Sequence, residues 1–135
     1  MPNVKTTVVL VHGAWADGSS WARVIGPLKA RGLEVLAAPL PLTSLRADVA
    51  ALDRTLARTH GPVVLAGHAY AGAVIGESRS ENIKALVYVT ALAPDEGETV
   101  GEVFNRAEHD PRAPKLTPDS DGLFWLPEES FAAAF

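Results

Sequence analysis

The 135-residue chain contains no cysteine. Disulfides, thiolate metal sites and a cysteine nucleophile are excluded together, and a reducing compartment is compatible. A surplus of positive charge is also missing. Twelve Lys and Arg against sixteen Asp and Glu give a net charge of −4, so there is no basic field to hold nucleic acid or an anionic membrane. Long apolar runs are absent as well. Only Lys5 stands ahead of the short run Val8 to Val11, which is shorter than a secretory core and well below the roughly 20 apolar residues of a membrane span. The chain reads as cytoplasmic. It carries no internal repeat and no low-complexity tract.

What is present is a globular composition. Apolar residues make up 47% of the chain, enough for one domain with a core. Four runs rich in branched residues predict buried strands at residues 7–11, 33–37, 63–66 and 85–89. They are apolar throughout rather than alternating, the pattern of a parallel sheet covered on both faces. Helical spacing fills the gaps. Trp21, Val24, Ile25 and Leu28 share one face, with Gly32 as a stop and Pro27 expected to break or kink the helix. Ser44 predicts an N-cap for Leu45, Val49, Leu52 and Leu56, and Gly61-Pro62 ends that helix. Residues 71–77 predict a short helix of small residues. Alternating strands and helices imply right-handed βαβ units and an open parallel sheet, with ligands at the C-terminal strand ends.

The texture changes at Pro94. Pro94, Pro111, Pro114, Pro118 and Pro127 are half of the ten prolines, and they mark a loop-rich excursion. A short strand at residues 122–126 and an alanine-rich helix from Pro127 onward are expected within it. The organisation predicted is a core over residues 1–95 and the start of a cap over 96–135.

Two turns carry the chemistry. After the first strand comes His12-Gly13-Ala14-Trp15, where glycine permits a sharp turn with amides pointing inward. After the third comes Gly67-His68-Ala69-Tyr70-Ala71-Gly72, a strand–turn–helix context with small residues two places either side of the centre. Such a bend lifts its central side chain over the sheet, beside the amides of a helix start.

Together these stretches resemble the α/β-hydrolase family, in particular small bacterial esterase-like hydrolases and the plant methyl esterases and hydroxynitrile lyases. The matching segments are Val9-Leu10-Val11-His12-Gly13-Ala14 with Trp21, the bend with Ala73-Val74-Ile75, and Ala85-Leu86-Val87-Tyr88-Val89 running into Ala93-Pro94-Asp95. The resemblance implies a three-layer α/β fold of hydrolase type. It implies that Ala14 and Tyr70 supply oxyanion-hole amides through their backbones, and that His12 orients its loop. Trp15, Trp21, Phe124 and Trp125 would line or cover an apolar pocket for a small-molecule ligand. The family uses no cofactor, and none is implied; no metal site is expected either.

The chain departs from that pattern at the centre of the bend. The family has serine there; this chain has Ala69, whose methyl group cannot attack a carbonyl. Ala71 stands where glycine is usual, so natural divergence and an engineered exchange at Ala69 are both open at this point. The family's acid and histidine would follow later strands, beyond Phe135. The chain also ends inside an apolar helix with no C-cap, and the fourth strand would keep one unpaired edge. A fragment is expected, or a sheet completed by a second chain or another copy. The readings carried forward are an esterase-lineage protein with impaired serine chemistry, a non-catalytic binder of a small apolar ester or carboxylate, and cofactor-free lyase chemistry, which lacks a base.

Other groups have plainer expectations. His68 should turn into the packing around the sheet, and His60 should be a solvated helix end. His109-Asp110 lacks a third metal ligand. Asp95 reads as a turn or capping residue, and Ser19 and Ser20 as caps of the first helix. Asp48, Asp53, Arg54 and Arg58 read as the solvated face of the second helix. The Tyr70 hydroxyl is a lesser candidate for ligand contact.

Overall fold

Branched side chains favour a pleated, packed surface, and they define all four strands. The computed structural model describes residues 3–135. The strands are β1 (Thr7–Val11), β2 (Glu34–Ala38), β3 (Val63–His68) and β4 (Ile83–Val89). They form one all-parallel sheet in the order β2-β1-β3-β4. The structure shows two compact units, the first running to Phe104 and the second from Asn105 to Phe135. The sheet belongs to the first.

Helices cover the two faces of that sheet. A 3-10 turn (Gly18–Trp21) leads into α1 (Ala22–Ala30). Trp21, Ile25 and Leu28 pack against Val8, Leu10, Val64 and Ala66 on one face. On the other face lie α2 (Leu45–Leu56) and α3 (Ala71–Glu77). Their Leu52, Leu56, Val74 and Ile75 pack against Val9, Val11, Val63 and Leu65. The chain therefore winds one way from β1 to β2, then crosses back past β1 to reach β3. The reversal falls between the adjacent strands β1 and β3.

Several sequence expectations change. α1 runs through Pro27 rather than breaking there; proline removes one backbone donor, and the apolar face holds the helix regardless. Ser19 and Ser20 do not cap it: Asp17 caps the 3-10 turn, accepting from the Ser19 amide at 2.8 Å. β3 extends two residues further than expected, to His68. Coverage on both faces holds only for the centre of the sheet. In the outer strand β4, Leu86, Val87, Tyr88 and Val89 are 40–43% exposed.

A short helix, α4 (Val100–Phe104), was not foreseen. It opens with a reciprocal cap in which the Glu102 amide donates to Thr99 Oγ1 at 3.1 Å and the Thr99 amide to Glu102 Oε2 at 2.8 Å. In the second unit, residues 122–126 are not a strand. The Asp119 carboxylate gathers the amides of Asp121 and Leu123, both at 2.9 Å, and the Trp125 indole N–H at 2.8 Å, which bends the segment into a loop. The helix α5 (Glu128–Ala134) follows, with Pro127 as its N-cap residue and Phe131 stacked on Phe135.

Candidate functional site

In an open parallel sheet the crevice for a ligand forms where the winding reverses, at the carboxyl ends of the strands. Here that places it after Val11 and His68, where β1 and β3 lie side by side and their following segments leave toward opposite faces. The backbone marks the same edge. Among the described residues, four non-glycine residues hold positive φ, namely Trp15 (59°), Leu42 (57°), Ala69 (53°) and Thr90 (46°). Each falls in the segment that follows a different strand. Each costs of order 1–3 kcal/mol, so torsional strain collects along one end of the sheet.

Ala69 forms the centre of the bend between β3 and α3. Its carbonyl accepts from the Gly72 amide at 3.1 Å and from the Leu92 amide at 3.0 Å. Its side chain is half-buried. The glycines around it permit close approach. A methyl built on Gly13 would stand 3.2 Å from Ala69 Cβ and 3.2 Å from the His68 carbonyl oxygen. The turn after β1 therefore rests directly against position 69. A methyl on Gly72 would lie 1.9 Å from the Leu92 carbonyl oxygen, so only glycine lets α3 lie this near the β4 exit.

His12 is 1% exposed. One ring nitrogen, Nδ1, lies 2.9 Å from the Gly13 carbonyl, and the other, Nε2, accepts the Leu40 amide at 3.1 Å. It thereby ties the loop after β1 to the loop after β2. His68 turns to the α1 side, its ring edge-on to Trp21 at 6.4 Å between centroids.

Tyr70 follows Ala69, and its hydroxyl donates to Asp48 Oδ2 at 2.6 Å. Burial, together with that carboxylate, raises the phenol above its ordinary value. Asp48 is the residue that sequence reasoning misplaced. It is 1% exposed, not solvated, and its Oδ1 accepts the Leu42 amide at 2.8 Å. The signal was present in the spacing, because Asp48 lies three residues after Leu45 and four before Leu52, on the apolar side of α2.

Among the described residues, the hydrogen bonds of the turns use neither the Ala14 nor the Tyr70 amide. Trp15 is 39% exposed beside Ala14. Trp21 is buried in the α1-side packing, where its Nε1 has no partner among the described residues. Phe124 and Trp125 lie exposed in the second unit. Neither of two open surface hollows touches Ala69: one, of about 360 Å³, lies near Asp53, Thr59 and Arg79, and the other, of about 600 Å³, near Leu36, Pro39 and Arg54. No group of three or more His, Cys, Asp or Glu among the described residues is placed to hold a metal ion. No helix among them is long and apolar enough to cross a membrane.

Known proteins share this arrangement. A carbendazim-hydrolysing esterase from Nocardioides sp. (strain SG-4G) is 30% identical over 115 residues, covering 73% of this chain and 47% of the esterase. The crystal structure of a pyrethroid hydrolase from Sphingobium faniae JZ-2 superposes with a TM-score of 0.69 at 26% identity, over 87% of this chain and 53% of that one. An extracellular α/β-hydrolase from a Paenibacillus species, described as sharing structural and functional homology with tobacco salicylic acid binding protein 2, gives 0.61 at 25% identity, over 72% and 45%. The chain thus spans about half the length of the relatives it matches. The pattern of the alpha/beta hydrolase family covers residues 8–135; by that match and by its all-parallel sheet flanked by helices, the chain belongs to the alpha/beta hydrolase family.

Proposed function

We propose that this esterase-lineage chain binds a small apolar ester or carboxylate at the junction of its β1 and β3 turns, and that serine-dependent catalysis is impaired there. The observation that carries the reading is Ala69: a left-handed residue at the centre of the bend, packed against Gly13, with a methyl side chain. The geometry suits an exposed nucleophile, and the side chain has none. What remains is a pair of amides, Ala14 and Tyr70, suited to an anionic or carbonyl oxygen. A pocket walled by aromatic side chains such as Trp15 would supply the apolar part. No cofactor enters this reading, and its partner is a small molecule.

The absence of cysteine fits a cytoplasmic setting. The exposed outer strand β4 is where a second chain or another copy would extend the sheet.

The test compares the chain with its Ala69→Ser variant on short-chain aryl esters, and titrates both with benzoate while amide resonances are followed. The parent is expected to show saturable shifts at Ala14 and Tyr70 and no turnover above background. The serine variant of these 135 residues is expected to stay near background as well, because the imidazole of His12 is engaged at both nitrogens and that of His68 packs on Trp21. Ester turnover by the parent at a rate typical of esterases would end the impaired-catalysis reading. Failure of benzoate to move either amide would end the binding one.

A further inference from the structure

A buried carboxylate is costly unless its oxygens are satisfied. Asp48 has no basic partner among the described residues, yet it is 1% exposed. Both of its oxygens are used. One receives the Tyr70 hydroxyl at 2.6 Å, the other the Leu42 amide at 2.8 Å. Its place in the first turn of α2, behind the Ser44 cap, adds the favourable field of a helix N-terminus. Asp48 therefore joins three segments that each end at the strained edge of the sheet. Those are the loop after β2, where Leu42 is left-handed, the start of α2, and the bend whose centre, Ala69, is left-handed too.

Tyr70 shares its peptide unit with Ala69. On the carbonyl side that unit is held by the Gly72 and Leu92 amides. On the nitrogen side Tyr70 is held twice: its carbonyl accepts the Ala73 amide at 3.0 Å, and its side-chain hydroxyl ends on Asp48. We infer that Asp48 is a positioning residue for the candidate site: by holding the Tyr70 hydroxyl it adds a side-chain restraint to the backbone bonds on the 69–70 peptide, and so steadies the direction of the Tyr70 N–H. The effect on a ligand rests on the reading under Proposed function; the clamp itself rests only on the contacts just given. Neither Asp48 nor the Tyr70 hydroxyl touches the ligand in this account. Any direct ligand contact by Tyr70 is through its backbone.

The test uses the isotopically labelled 135-residue chain, with Asp48→Asn, Tyr70→Phe and the double variant. Asp48→Asn keeps the volume but sets an amide donor against one of two donors. Tyr70→Phe keeps the ring and removes the hydroxyl. Two quantities are read: the dissociation constant for benzoate, and the exchange rate of the Leu92 amide, which bonds the Ala69 carbonyl, relative to the core amide of Leu65.

Each single variant is expected to weaken benzoate and raise the exchange ratio by about tenfold, the size of one hydrogen bond to a charged group. The double variant should go little further, because both changes cut the same link. A role limited to general stability would speed both amides by one factor and leave the benzoate constant of the folded protein unchanged, and that outcome overturns the inference. If benzoate fails to bind even the parent, the ligand reading falls alone. The exchange ratio then still decides: a rise supports the clamp, and an unchanged ratio refutes it.

Discussion

Gly72 offers a sharp check on how the bend is packed, because local propensity and tertiary packing give opposite signs there. In an unobstructed helix, replacing glycine by alanine gains about 1 kcal/mol. At Gly72 the added methyl would stand 1.9 Å from the Leu92 carbonyl oxygen and 2.9 Å from Ala91 Cβ. Restoring an ordinary carbon–oxygen separation requires a shift of about 1.4 Å. Both neighbours belong to the β4 exit, so no side-chain rotation relieves the contact. The shift would pull apart the strip in which the Leu92 and Gly72 amides both bond to Ala69. Overpacking costs about 1–3 kcal/mol, and each strained hydrogen bond adds about 1 kcal/mol. Gly72→Ala is therefore expected to destabilise by about 2–4 kcal/mol net.

Gly76, one turn further along α3, is the control. A methyl there meets only the Tyr88 hydroxyl, at 3.4 Å, an ordinary contact. Gly76→Ala should stabilise by about 0.5–1 kcal/mol. Urea unfolding followed by tryptophan fluorescence reads both. At about 2–8 °C per kcal/mol, the range that brackets a chain of this length, the two variants should also move the thermal midpoint in opposite directions. A Gly72→Ala protein as stable as the parent would refute the close packing of α3 on the β4 exit.

Three further outcomes are expected. Trp21→Phe removes a buried indole N–H that has no partner among the described residues, so it should cost less than about 1 kcal/mol, against about 3–5 kcal/mol for Trp21→Ala. A loss of about 2 kcal/mol or more for Trp21→Phe in urea unfolding would show that the indole N–H is bonded. The Asp119 carboxyl lies below its ordinary 3.8, chiefly through the Leu123 amide and then the Trp125 indole. Its contribution to the 119–125 loop is thus fully present above the ordinary carboxylate range and fades as pH falls through the lowered value. The Trp125 indole resonance should follow that fall and lose its pH dependence in Asp119→Ala. The Tyr70 phenol is raised by burial and by Asp48. In a Tyr88→Phe background, ultraviolet titration should show Tyr70 ionising above 10, with stability declining as pH climbs past that value. A Tyr70 that titrates as an ordinary phenol would remove the hydrogen bond to Asp48.

Much of this architecture was legible in the sequence because its strands are fully apolar and its helices are cleanly spaced. The match is closest for β1 and for the helix at residues 71–77, where small residues leave little freedom. Other features depend on partners that periodicity does not show. Gly67 and His68 read as turn residues, yet they pair with Tyr88 and Val89 in the ladder. The run at residues 85–89 read as a buried strand with one unpaired edge; β4 does lie at the edge, but apolar composition alone does not reveal that its faces are left exposed. The segment 122–126 looked like a strand, and a single carboxylate, Asp119, holds it as a loop. The capping pattern of Thr99 and Glu102 is the one sequence signal for α4. Asp48 was misplaced because its charge outweighed its position on the apolar side of α2.

The two amides that meet at the Ala69 carbonyl have a consequence for how this bend could change over time. One comes from α3 and the other from the β4 exit, and neither involves the side chain at position 69. The shape of the bend is therefore inherited separately from whatever the position displays. A hydroxyl could be lost from such a place, or regained, in a single step with the surrounding backbone left as it stands.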